Sequence, residues 1–290
     1  MSKTIFFSVG EPSGDQHAAR LISSLQAIAP ELSLRGFGGP EMRAAGCALD
    51  LDLTEHAVFG LLEVLPKLRK FFGFADQAEA LFARGEVDAV VMVDFPGFNW
   101  HIAKRAKKYG IPVYYYCPPQ LWAWGAWRVK KMKASVDHVL AVLPIEKQFY
   151  QAHGIPTTYV GHPFFDAVVE ADLQSESLNA LAAAASKDRT VAVLPGSRTH
   201  EVHQNFPVML EAIVELAKSH PDVRFAVAAY REKHLQFCQA EAAKLDRPLP
   251  IDFYLGATSE IIEHARCAMM VSGSVSLELM ARRTPATVLY

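Results

Sequence analysis

The chain has 290 residues, is 51% hydrophobic and carries a formal net charge of −2. That length suggests about two domains with cores of their own, and the near-neutral balance excludes a global electrostatic footprint for nucleic acid. Cys47, Cys117, Cys238 and Cys267 are scattered without a CxxC pair, which excludes a disulfide frame or a zinc site and leaves reduced thiols, as in a cytosolic protein.

The opening MSKTIFFSVGEPSGD has no long apolar region of the kind a signal peptide needs, and no charge-free apolar run reaches the ~18 residues of a membrane span. TIFFSVG (4–10) reads as a buried strand, followed by the turn Glu11, Ser13, Gly14, Asp15 and the helix-like DQHAARLISSLQAI. The turn fits neither GxGxxG nor GxxxxGK[ST], so neither a Rossmann dinucleotide site nor a P-loop is licensed. Ser13 or Asp15 can cap the helix. Glu11 is then surplus, and the turn reads either as a cap or as a site. LSLRGFGG (32–39) is the next strand.

HAVFGLLEVLPKLRKFFGF (56–74) gathers Leu62, Val64, Leu65, Leu68, Phe71 and Phe72, with Lys67, Arg69 and Lys70 interleaved. After Pro66 the positions 65, 68 and 72 fall on one helical face. Such a stretch either lies on an anionic bilayer and grips acyl chains or is an ordinary helix with one side in the core. In AVVMVDF (89–95), Asp94 closes an apolar strand. Desolvation there raises a carboxyl pKa and suits a general base; the alternative is a cap for a helix starting near Asn99.

NWHIAKRAKKYG is helical in pattern, VYYYC (113–117) a strand, and CPPQLWAWGAWRVKKMK (117–133) sets three tryptophans ahead of Arg128, Lys130, Lys131 and Lys133. A sugar platform or a packing edge suits this stretch better than base stacking, given the overall charge. Strands HVLAVL (138–143) and TTYVG (157–161) follow. The pattern then lapses over 166–189 and restarts with TVAVLPG, a helix over 201–218, VRFAVAAY, IDFYLG, TSEIIEHAR, AMMVSGS, SVSLELMARR and ATVLY. Apolar strands alternating with amphipathic helices imply parallel sheets. The expectation is α/β: two Rossmann-like, doubly wound domains, residues 1–165 and 190–290, with 166–189 as a linker.

Ligands of such sheets bind at the carboxyl ends of strands. In the second domain two strand ends look suited to anions. At VAVLPGSRTHEV (191–202) a helix beginning near Thr199 offers N–H groups at Gly196 and Ser197, with Arg198 adding a bidentate contact. At VSGSVSLELMARR, Gly273 and Ser274 repeat the turn, Ser276 follows, and Glu278 points back to accept two ribose hydroxyls. Paired anion turns with a carboxylate suggest a nucleoside diphosphate. No Asp-x-Asp or His-rich pattern accompanies them, so stabilisation of a leaving diphosphate is expected from dipoles and Arg198, with no metal and no cofactor.

The turn GEPSGD, GGPEMRAAGC (38–47), FGLLEVLPKLRK, VDFPGFN, PPQLWAWGAWRVKKM, LPIEKQFY, VGHPFFD, LPGSR and SGSVSLELM occur in the order found in the lipid-A-disaccharide synthases, which the whole chain resembles. The resemblance implies a two-domain GT-B glycosyltransferase that moves 2,3-diacylglucosamine from UDP to 2,3-diacylglucosamine 1-phosphate with inversion. It implies UDP at Gly196, Ser197, Arg198, Gly273, Ser274, Ser276 and Glu278, Asp94 as base with Glu11 nearby, and the apolar-basic stretch docked on the cytoplasmic face of the inner membrane. Two departures stand out. Gly97 replaces a second Asp of the family's turn, and the chain stops at Tyr290 inside an apolar strand, where family members continue into a segment exchanged between dimer partners. A truncated second domain is therefore expected, and a homodimer only if that segment were present. The rival readings are a UDP-sugar 2-epimerase-like isomerase and an inactive nucleotide-binding fragment.

Overall fold

The computed structural model describes residues 2–56 and 68–289. The chain divides into two compact units, Met1–Pro163 and Phe164–Tyr290.

The first unit is built on β1 (Thr4–Val9), β2 (Ser33–Gly38), β3 (Ala48–Asp52), β4 (Ala89–Val93), β5 (Val113–Tyr116), β6 (His138–Ala141) and β7 (Thr157–Tyr159). All pairings are parallel, in the order β3-β2-β1-β4-β5-β6-β7. Its helices are α1 (Pro12–Ile28), α2 (Pro40–Ala44), α3 (Leu68–Ala83), α4 (Pro96–Lys108), α5 (Val129–Ser135) and α6 (Pro144–Ala152). Phe6 and Met92 feed a core on one side of the sheet, Phe7 and Val93 a core on the other. Burial on both faces explains why these strands read as continuous apolar runs.

The second unit begins with α7 (Pro163–Glu170) and α8 (Ser175–Ala184). It continues with β8 (Thr190–Leu194), α9 (Thr199–Ser219), β9 (Arg224–Ala229), α10 (Glu232–Ala242), β10 (Ile251–Leu255), α11 (Thr258–His264), β11 (Cys267–Val271), α12 (Val275–Ala281) and β12 (Ala286–Leu289). Its sheet is also parallel, ordered β10-β9-β8-β11-β12. Residues 166–189, set apart as a linker in the sequence reading, are mostly helical and lie within this unit. Leu181 joins its core, and the Gln174 N–H donates to Glu260.

In each unit the strand order reverses once, between β1 and β4 and between β8 and β11. Such reversals open a crevice beyond the strand ends where ligands bind. The turns after these four strands hold Glu11, Asp94, Arg198 and Gly273, the positions singled out from sequence.

Capping differs from expectation. Glu11, not Ser13 or Asp15, is the residue before α1, and it makes no side-chain cap. The buried Asp15 carboxylate instead accepts the N–H groups of Gly39, Glu41 and Met42, capping α2 across the fold. The helix after Asp94 starts at Pro96, not near Asn99.

Candidate functional site

In the first unit, Asp94 and Phe95 leave β4 in the left-handed region, with φ of 46° and 45°. Few non-glycine residues sit there, so the turn must be held from outside. Asn99, fully buried, holds it: its amide donates to the carbonyls of Asp94 (2.7 Å), Ser8 (3.2 Å) and Val93 (3.4 Å) and accepts from the Ser8 hydroxyl (2.6 Å). The buried Tyr115 hydroxyl also donates to the Asp94 carbonyl, at 2.7 Å. The Phe95 ring lies over Gly10, where an added Cβ would come within 2.2 Å of it. The turns after β1 and β4 are thereby packed against each other, and only glycine fits beneath the ring.

Burial raises the Asp94 carboxyl pKa, against a smaller opposing hydrogen bond from the Phe95 N–H. Burial also raises that of Glu11, and the Asp94 charge raises it further. The two carboxyls thus share one electrostatic environment, as two acids at one site do. In the same unit, His17 of α1 and His162 form an edge-on ring pair at 5.7 Å. Burial first, then His162 and Arg20, hold the His17 pKa at about 4, so it is neutral at pH 7.

Of the apolar-basic stretch, Leu62, Val64, Leu65 and Lys67 lie outside the described residues, as does the Leu68 side chain. Arg69, Lys70 and Phe72 are in α3 and exposed or nearly so. Phe71 turns inward, packing within 5.7 Å of Phe98 and 6.1 Å of Phe95, so it supports the Asp94 turn.

In the second unit a cavity of about 380 Å³ opens at the switch point. Gly196, Ser197, Arg198, Glu201, Tyr230, Gly273, Ser274 and Glu278 are among its lining residues. The anion turns expected from sequence therefore meet in one place. Gly196 has φ of 118°, and a Cβ there would fall 2.8 Å from that of Glu201. Ser276 does not line the cavity; its hydroxyl donates to the Gly273 carbonyl at 2.7 Å. Glu278 is fixed by Arg282, whose Nε donates to it at 3.0 Å while another nitrogen of the same guanidinium reaches Glu263 at 3.0 Å.

Glu201 was not foreseen. Its carboxylate accepts the N–H groups of Ser197 (3.2 Å) and Arg198 (3.1 Å) and the Arg198 guanidinium (2.7 Å). Burial would raise its pKa, but these hydrogen bonds outweigh burial and hold the carboxyl below the usual range. A built-in carboxylate thus occupies the donors expected to take phosphate. Its signal was the SRTHE spacing, a capping box with glutamate three residues into the helix. Tyr230, exposed at the same cavity, was also missed. Among the described residues, no three His, Cys, Asp or Glu cluster as a metal site would require.

Two doubly wound units, one with two carboxyls at its switch point and the other with a cavity there, are the units of a GT-B architecture. Solved structures agree on the fold. They include a UDP-GlcNAc 2-epimerase from Neisseria meningitidis bound to UDP-GlcNAc (TM-score 0.67, 14% identity, 100% of this chain and 82% of that one). A glycosyltransferase from Rickettsia africae has a TM-score of 0.60 at 12% identity, covering 99% of this chain and 79% of that one.

The family is narrower: the chain belongs to the lipid-A-disaccharide synthetases, whose family model matches residues 5–290. Lipid-A-disaccharide synthases of Coxiella burnetii (strain Dugway 5J108-111) and Syntrophus aciditrophicus are 34% and 35% identical, each over 100% of this chain and 75% of their own length. Lipid-A-disaccharide synthase 1 of Legionella pneumophila is 33% identical over 97% of this chain and 73% of its own. The chain is accordingly a glycosyltransferase of lipid A biosynthesis, a hexosyltransferase, with no helix among the described residues long and apolar enough to cross a membrane.

Proposed function

We propose that this enzyme transfers 2,3-diacylglucosamine from UDP to the 6-hydroxyl of 2,3-diacylglucosamine 1-phosphate. The observation that carries the proposal is the Asp94 carboxyl, set at a switch point by Asn99 and Tyr115 with its pKa raised by burial. Asp94 accepts the hydroxyl proton, the hydroxyl oxygen bonds to the sugar C1, and the bond from C1 to the diphosphate oxygen breaks with inversion. UDP leaves with the electron pair.

The Ser197 and Arg198 N–H groups and the Arg198 guanidinium hold the diphosphate in place of the Glu201 carboxylate, and Gly273 and Ser274 border the same cavity. Glu278 accepts the ribose hydroxyls, and Tyr230 offers a face to the base. The proposal assigns the diphosphate charge to these donors rather than to a metal ion. Arg69, Lys70 and Phe72 face an anionic membrane surface that carries both lipid substrates.

The test is UDP release by the 290-residue chain in detergent, with both diacylated sugars and with each omitted in turn. Release that needs both is expected. Release from UDP-diacylglucosamine alone, or none at all, would overturn the reading. Arg198→Ala is expected to weaken UDP binding about 10- to 100-fold, the worth of a charge-assisted phosphate contact. Calorimetric titration with UDP checks it.

A further inference from the structure

A second cavity, of about 450 Å³, lies in the first unit and is lined by Gly97, Trp100, Trp127, Arg128 and Lys131. Its walls are aromatic and cationic. Trp100 is buried at 5% exposure, with Lys131 Nζ 5.2 Å from its ring centroid. Trp127 is 76% exposed, a large ring held in water, with the Arg128 guanidinium 5.5 Å from its centroid. Gly97 leaves open space, since a Cβ built there meets nothing within 4 Å.

The charge is uncompensated. None of the ion pairs among the described residues involves Arg128, Lys131 or Lys104. Burial lowers the Lys131 pKa, and Arg128 and Lys104 lower it further, so like charges crowd at an exposed rim beside the buried Trp100. A dianion relieves this crowding, and a guanidinium beside an ammonium suits a phosphate monoester. The exposed Trp127 face suits the apolar face of a sugar ring.

We propose that this cavity binds a hexose phosphate, with the phosphate on Arg128 and Lys131 and the sugar ring against Trp127. On the transferase reading above, which this inference refines, that ligand is the acceptor and its phosphate is the 1-phosphate. The location agrees. Gly97 lies three residues beyond Asp94, within about 11 Å of chain, so a sugar anchored here by its phosphate can bring a hydroxyl on its far side toward the Asp94 carboxyl.

The probe is glucosamine 1-phosphate, titrated into the full chain and read by tryptophan fluorescence, with glucosamine and inorganic phosphate in parallel. Glucosamine 1-phosphate is expected to bind tightest. The double variant Arg128→Gln, Lys131→Gln is expected to weaken it about 10- to 100-fold. Trp127→Ala should weaken glucosamine 1-phosphate but not inorganic phosphate. In the transfer assay the double variant should raise KM for the acceptor and leave KM for the UDP-sugar as in wild type. Unfolding curves verify that each variant folds.

Equal affinity for inorganic phosphate and the sugar phosphate would overturn the proposal in favour of a bare anion site. So would loss of binding to phosphatidylglycerol vesicles in the double variant with sugar-phosphate affinity unchanged. Sugar-phosphate binding that the double variant loses, in a protein showing no transfer, would uphold the cavity and remove the transferase reading. Transfer with acceptor KM untouched by the double variant would do the reverse.

Discussion

Asp94→Asn is expected to lower turnover about 10²- to 10⁴-fold, the range for loss of a general base, with UDP affinity unchanged. The amide keeps the size of the carboxyl, and the Asn99 and Tyr115 hydrogen bonds reach the Asp94 carbonyl, not its side chain. The turn should therefore survive while proton acceptance is lost. The sign of the pH dependence follows. Asp94 accepts a proton only when ionised, and burial disfavours that form, so the rate climbs as pH rises through a value above the ordinary carboxylate range near about 4. Burial, and then the Asp94 charge, also oppose the ionisation of Glu11. Glu11→Gln should leave that acid limb in place, whereas Asp94→Asn should remove it. Single-turnover rates across pH, with UDP titrations alongside, check both statements. Unaltered turnover in Asp94→Asn would end its assignment as base.

Asn99→Ala is expected to cost about 3–5 kcal/mol of stability in the first unit, as breaking a buried hydrogen-bond network does. One amide serves four partners here, the Ser8 hydroxyl and three carbonyls, and the bonds to Ser8 and Val93 are lost from a buried place when it goes. Ser8→Ala removes only one of these bonds and should cost about 1 kcal/mol. Turnover should fall further in Asn99→Ala than stability alone explains, because the Asp94 carbonyl is then held by the Tyr115 hydroxyl alone. Urea unfolding followed by tryptophan emission, with kinetics far below the transition, separates the two effects. Equal stability for both variants would show that the network does not hold the turn.

The sheets were legible because parallel strands buried on both faces need apolar runs, and Phe6, Val91 and Val227 obey that demand. The strand Ala48–Asp52 was not legible. It lies at the sheet edge with little of it buried, and ALDLD carries charge at alternate positions. Each strand-end position could be picked out because a polar residue follows an apolar run. What those residues touch could not be, since the contacts are distant in sequence or compete with local ones. Asp15 looks like a cap for its own helix but caps one that starts 25 residues on. Arg198 looks free for phosphate but is engaged by Glu201. Asn99 was visible in the motif VDFPGFN, yet nothing local tells that its amide joins two strand ends.

The left-handed turn at Asp94 and Phe95 also bears on how the protein can be improved. Each non-glycine residue in that region costs on the order of 1 kcal/mol, which glycine would relieve. Asp94→Gly should therefore raise the melting temperature of the first unit while removing the carboxyl proposed as the base. A selection for heat resistance alone would drift toward glycine at this position, and on the proposed role of Asp94 its survivors would be inactive. Thermal hardening of this enzyme has to be sought elsewhere, with the turn at Asp94 held fixed throughout.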